Sequence, residues 1–173
     1  VVCPATIDLS GAEIELVDVE RREYRLREAL REYVSEHADI DIVLIDCPPS
    51  LGLVTLNVMV AADEVMIPIQ AEYYALEGLS QLWNTVERIG VDLNPGLRVS
   101  GMLLTMADKR TKLSEEVESE VRSHFPDHTF ETVIPRSVRI SEAPSYGQTV
   151  VTYDPRNVGA IAYRKAALEL CQR

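Results

Sequence analysis

Ile42-Val43-Leu44-Ile45-Asp46-Cys47-Pro48-Pro49 is the stretch on which the reading of the fold turns. Four consecutive aliphatics are too few for a buried helix, and two prolines stop the run. It therefore reads as a central strand with apolar side chains toward both faces of a sheet. Upstream, Ser10-Gly11-Ala12-Glu13 has the pattern of an N-cap with Glu three places on, opening a short helix through Val17. Between Glu20 and Glu36, Tyr24, Leu26, Leu30, Tyr33 and Val34 recur at three- and four-residue steps among charges, the mark of a surface helix with one buried stripe. Downstream the period keeps switching. Helices are expected at Leu53–Ala61, Ala75–Ile89 and Ser114–His124, and strands at Glu64–Ile69, Arg98–Thr105 and Thr129–Ile134. A last helix opens at Pro155, with Asp154 as its cap, and reaches Leu170. Strands joined by helical crossovers imply an α/β fold, a doubly wound and mostly parallel sheet with helices on both faces.

The 173 residues suit one domain, and no repeat or Gly/Ser linker marks a boundary. Hydrophobic residues make up 46% and charged residues 26%, an ordinary globular balance that excludes disorder as the main state. No apolar run approaches the roughly 20 residues that span a bilayer, and Val1-Val2-Cys3-Pro4 has no basic leader region. Cys3, Cys47 and Cys171 stand far apart and out of metal-ligand spacing, so they read as small buried hydrophobes in a reducing cytoplasm. A net charge of −11 argues against wholesale wrapping by nucleic acid while leaving room for a local basic patch.

Ligands of a doubly wound sheet bind beyond the carboxyl ends of its strands, where Asp46 stands. Four aliphatics followed by Asp form a Walker B pattern, whose carboxylate orients the magnesium shell at a nucleotide's phosphates; one carboxylate acting through water is enough for that. Taken alone, a strand-terminal Asp is more often a helix cap or a loop hydrogen-bond acceptor. The residues after it, Pro48, Pro49 and Ser50, build either a stiff switch loop that senses phosphate or a plain strand-to-helix turn capped by Ser50. Lys109, Arg110 and Lys112 follow one strand end, and Arg136 and Arg139 the next. Adjacent loops of this kind either share one basic face or are simply solvated. No aromatic interleaves them in sequence, so single-strand stacking is not expected. His37, His124 and His128 lack partners at ligand spacing, so no zinc site is expected. Tyr73, Tyr74 and Trp83 read as packing. The final helix, with Ala160, Ala162, Tyr163, Ala167 and Leu170, lacks the two opposed faces of a membrane anchor.

Four stretches, in order, carry a resemblance: Pro4-Ala5-Thr6-Ile7-Asp8-Leu9-Ser10-Gly11-Ala12-Glu13, Leu44-Ile45-Asp46-Cys47-Pro48-Pro49-Ser50-Leu51-Gly52, Gln70-Ala71-Glu72-Tyr73-Tyr74-Ala75-Leu76-Glu77-Gly78-Leu79 and Ile134-Pro135-Arg136-Ser137-Val138-Arg139-Ile140-Ser141-Glu142-Ala143-Pro144-Ser145. Together they resemble the ParA/Soj family, the deviant-Walker ATPases of chromosome and plasmid partitioning, from near Val1 to about Leu170. The likeness is greater to the chromosomal Soj branch. No Gly-rich loop ending in Gly-Lys-Ser/Thr is present, and the first glycine is Gly11. That family carries its phosphate-binding loop and a switch I aspartate on earlier strand–helix units. At ~30 residues per unit, roughly 70–80 residues are expected upstream, making residues 1–173 the C-terminal two-thirds of one ATPase domain.

The resemblance implies ATP and magnesium as cofactors, with Asp46 as the catalytic-site carboxylate that holds the metal through water. It places the adenine against Pro135, Arg136 and Ser137, with Thr105 and Met106 lining the same cleft. Ser137 stands where the family usually has Asn. Arg110 and Arg139 match positions that hold DNA phosphates without reading sequence, and Lys109 and Lys112 extend that patch. It further implies an ATP-bound homodimer on nonspecific double-stranded DNA, a ParB-type partner that stimulates hydrolysis, and a cytoplasmic, nucleoid-associated protein with no membrane partner. The loop, its lysine and the helix behind it supply most of the positive field on the phosphates, so these residues alone are expected neither to bind ATP tightly nor to hydrolyse it. Two rivals are a MinD-like or replication-regulating relative and a non-enzymatic binding module that begins near Val1.

Overall fold

The computed structural model describes all residues except Pro49, Tyr73 and Tyr74, and only the backbone of residues 10 and 75–77. In chain order its regular elements are α1 (Ala12–Glu15), α2 (Arg25–Glu36), α3 (Leu53–Ala61), β1 (Glu64–Gln70), α4 (Ala75–Asp92), β2 (Arg98–Thr105), α5 (Lys112–His124), α6 (Val138–Glu142), α7 (Val150–Tyr153) and α8 (Val158–Leu170). They form two compact units, Val1–Glu64 with Val86–Arg98, and Val65–Thr85 with Val99–Arg173.

In the first unit α2 lies against α3. The buried Asn57 of α3 ties the two: its Oδ1 accepts the Leu26 N–H (3.2 Å), and its Nδ2 donates to Arg22 O (2.9 Å) and Leu53 O (3.0 Å). A side chain from a neighbouring helix thus serves an N–H that the start of α2 leaves open. The buried Asn94 does the same at the other end of α3, donating to Met59 O (3.0 Å) and Ala62 O (2.7 Å).

The second unit holds the sheet. β1 and β2 run parallel, the Ser100 hydroxyl meeting Val65 O (3.3 Å) and the Ala71 N–H meeting Thr105 O (2.9 Å), so both strands advance together. Residues 128–136 continue the sheet beyond β2, pairing in parallel at Met102–Thr129 and Ala107–Pro135. Side chains alternate across the pleat. Met102 and Leu104 pack with Ile67, Ile69, Leu79, Val117 and Val121 under α4 and α5. Leu103, Phe130 and Ile134 pack with Ala162 and Ala166 of α8 on the opposite face. Helices cover both faces, as the apolar runs of the strands demand.

Several expectations need correction. Ile42–Ile45 forms no strand: Ile42 is 71% and Leu44 84% exposed. A parallel strand takes its ladder bonds from neighbours, and none pairs with this run among the described residues of its unit, so its backbone stays irregular. The strand expected at Thr129–Ile134 is reduced to two isolated pairings by an irregular register. The helix foreseen from Ser10 is a 3-10 turn (Ile7–Gly11) followed by α1, whose cap is Gly11 with no side-chain bond. α8 begins after Asn157, not at Pro155, because Asn157 Oδ1 accepts the Gly159 N–H (2.9 Å), while Asp154 instead closes α7. The three cysteines are exposed, not buried.

Candidate functional site

The ends of β2 and of its parallel neighbour lie side by side. Ala107 N–H donates to Ile134 O (3.1 Å), and Arg136 N–H returns to Ala107 O (2.9 Å). Thr105 is anchored through its hydroxyl to Ile69 O (3.2 Å). Thr105 and Met106 are thereby brought next to Pro135, Arg136 and Ser137. Met106 has φ 56°, a left-handed conformation uncommon for a side chain of its size. Pro135 and Ser137 are half-buried, and Arg136 is exposed. The Ser137 hydroxyl donates to Asn157 Oδ1 (3.1 Å), the oxygen that also caps α8. Sequence reasoning missed Asn157, although an Asn two places before Gly159 is a recognisable cap signal.

Asp46 belongs to the first unit and stands exposed on an irregular segment. Beside it, burial and the Asp46 charge raise the Cys47 thiol above its ordinary range. Pro48 and Ser50 are exposed, and Pro49 lies outside the described residues. Ser50 is not a helix cap; its carbonyl accepts the Thr55 hydroxyl (2.6 Å), and Gly52 precedes α3. Among the described residues no three of His, Cys, Asp or Glu converge into a metal cage. A single open carboxylate suits a hard cation that keeps its waters and is shared with phosphate oxygens.

The basic residues of the second unit are exposed but interleaved with carboxylates. Asp108 accepts Arg110 Nε (2.9 Å), Nη2 (2.7 Å) and backbone N–H (3.1 Å). Those bonds hold the Asp108 carboxyl well below the usual range, helped by the Arg136 charge, and raise Arg110 in return. Arg139 donates to Glu142 (2.9 Å), approaches Asp154 (3.7 Å) and lies 5.9 Å over the Tyr153 ring, which stacks on Tyr146. These aromatics were not foreseen beside Arg139, because α7 and the turn before it bring them there. Lys109 and Lys112 flank Arg110 in the chain and are exposed.

Residues 1–99 match a family model described as an AAA domain. The chain is 51% identical over 172 residues to the chromosome partitioning protein ParA of Myxococcus xanthus, covering 99% of this chain and 60% of that protein. It is 53% identical over 169 residues to the sporulation initiation inhibitor protein Soj of Bacillus subtilis, covering 98% and 66%. It thus spans about 60–66% of the length of these curated relatives. Among solved structures, the cobyrinic acid a,c-diamide synthase of Mycobacterium smegmatis with bound ATP analog and magnesium superposes with TM-score 0.76 at 37% identity, covering 94% of this chain and 58% of the other. No helix among the described residues is long and apolar enough to cross a membrane. With a family model over more than half its residues and half of its positions shared with ParA and Soj proteins, the chain belongs to the ParA/Soj family.

Proposed function

We propose that these residues are the C-terminal two-thirds of a partitioning ATPase, bearing the base side of its nucleotide site and its DNA-facing arginines. The observation that carries this is the hydrogen-bonded pairing of Ala107 with Pro135, which sets Thr105 and Met106 beside Pro135, Arg136 and Ser137 at the carboxyl end of a parallel sheet. That is where doubly wound folds take nucleotides. Pro135 offers a flat apolar ring to a purine.

Asp46 would hold the magnesium shell through water, and Pro48, Pro49 and Ser50 would sense whether phosphate is there. Magnesium supplies charge neutralisation at the phosphates when bound. A phosphate-binding loop upstream would supply the rest of the field, so the chain as given neither binds ATP tightly nor hydrolyses it. In the longer protein, bound ATP would favour a homodimer. Two copies of the Lys109, Arg110, Lys112 and Arg139 patch would then hold double-stranded DNA phosphates without reading sequence. A ParB-type partner would stimulate hydrolysis and release, in the cytoplasm on the nucleoid. The partitioning names of relatives near 50% identity favour this over a MinD-like role.

The test is ATP hydrolysis by the longer protein with magnesium and DNA. Asp46→Ala is expected to abolish turnover while the protein stays folded; wild-type turnover in that variant contradicts the assignment of Asp46.

A further inference from the structure

The ladder between β2 and residues 128–136 is irregular at one place. Met102 bonds both His128 O (2.7 Å) and Phe130 N–H (2.9 Å), the regular parallel step. The next step would give Leu104 O to the Thr132 N–H. Instead Leu104 O takes the Ile134 N–H (2.8 Å), two residues further on. The skipped amides are served from α8: Glu169 Oε1 accepts the Glu131 N–H (2.7 Å), and Oε2 accepts the Thr132 N–H (3.0 Å). The displaced carbonyls are served from α5, Arg122 donating to Phe130 O (3.0 Å) and Glu131 O (3.3 Å). Arg173 steadies the carboxylate (3.2 Å), donates to Thr129 O (2.9 Å) and lies 4.4 Å over the Phe130 ring.

We infer that Glu169 is a positioning residue for the nucleotide's base: its carboxylate holds the two looped-out amides and so fixes where the chain re-enters the ladder at Ile134. Pro135, Arg136 and Ser137 follow directly: the Arg136 N–H ties them to Ala107 O (2.9 Å) on the β2 side, and the Ser137 hydroxyl meets Asn157 Oδ1 (3.1 Å). Two parallel backbone donors on one carboxylate form a charge-assisted clamp that a neutral side chain does not replace. Without it, the Thr132 N–H has a competing acceptor in Leu104 O. A two-residue slip of that kind carries the loop about 6.6 Å along the sheet, at roughly 3.3 Å per residue. Ile134 resists the slip, since Thr132 would take its buried place, so the loop becomes a mixture of registers. This inference rests on the reading that residues 135–137 meet a purine, and it assigns Glu169 no contact with the ligand.

The experiment compares Mg-ATP with magnesium tripolyphosphate, which has the phosphates and no base, by calorimetry on the longer protein well below its melting temperature. Glu169→Ala is expected to weaken ATP about tenfold and tripolyphosphate less than twofold. Glu169→Gln, which keeps one acceptor and folds even where the alanine variant does not, is expected to weaken ATP three- to fivefold with the same selectivity. ATP binding equal to wild type in both variants, or equal loss for both ligands, overturns the inference. Ser137→Tyr, which fills the mouth of the loop, separates the two layers of argument. If it weakens ATP while the Glu169 variants do not, Glu169 has no positioning role; if it leaves ATP unchanged, the base binds elsewhere and both readings fall.

Discussion

Ala107 pairs with Pro135, although Leu104 O already holds the Ile134 N–H, so β2 uses one residue more than its neighbour to reach that pairing. The extra residue is Met106, at φ 56°. A bulge next to a strand end re-aims the side chains that follow it, which here are those of Ala107 and Asp108. The left-handed conformation costs a side chain about 1–2 kcal/mol and a glycine almost nothing. Met106→Gly is expected to match or exceed the parent in denaturant unfolding, and Met106→Val to lose about 1–2 kcal/mol. A valine variant as stable as the parent would remove the bulge from the account.

Asn157 caps α8 and receives the Ser137 hydroxyl with the same oxygen. Asn157→Ala is expected to lower stability by about 1 kcal/mol. Asn157→Asp, which keeps the acceptor and adds negative charge at a helix start, is expected to lose less. Thermal unfolding of the two variants checks the order.

Glu169 also sets a pH dependence. Burial pushes its carboxyl up, but the N–H groups of Thr132 and Glu131, the Thr132 hydroxyl and Arg173 together outweigh burial and leave it below its ordinary range. A folded-state pKa below the unfolded one gives stability that is complete above roughly pH 5 and is lost as pH falls through the folded value. Asp108, lowered by Arg110, adds in the same sense. Stability of the wild type is expected to drop below about pH 4 more steeply than that of Glu169→Gln. Parallel pH curves for the two would deny Glu169 its favourable bonds.

Arg110 and Arg139 reach solvent while paired with Asp108 and with Glu142 and Asp154. Exposed pairs of this sort exchange partners easily, so phosphate competes for both guanidinium groups. In the longer protein, Arg110→Glu and Arg139→Glu are each expected to weaken DNA retention at low salt and to lower the slope of log affinity against log salt by about 1. Asp108→Asn, which leaves Arg110 without its carboxylate, is expected to strengthen retention. Filter binding across a salt series reads all three.

The alternation of periods was enough to place α3, β1, β2 and α5 to within two residues, because each buries its own apolar stripe against elements present in the chain. Ile42–Ile45 has the strongest strand pattern in the sequence and no ladder, since pattern records which side chains seek burial and not whether a neighbouring strand is at hand. Of the candidate positions, Thr105 and Pro135 were legible as strand ends, and the structure places them there. Asn157 and Glu169 were not legible: each acts across 20 or more residues of sequence, and only packing of α8 on the sheet brings them to the loop. The pairing of Arg110 with Asp108 was within reach, two residues apart in a turn, but charge alone said nothing of its geometry.

In the function proposed above, these residues hold the base side of a nucleotide site whose phosphate grip lies on polypeptide upstream. Calorimetric titration of Mg-ATP into the 173-residue chain and into the longer protein tests it most directly. Saturable binding is expected for the longer protein and none for the shorter chain at micromolar concentration; micromolar affinity in the 173-residue chain would mean that its own residues suffice to grip the phosphates.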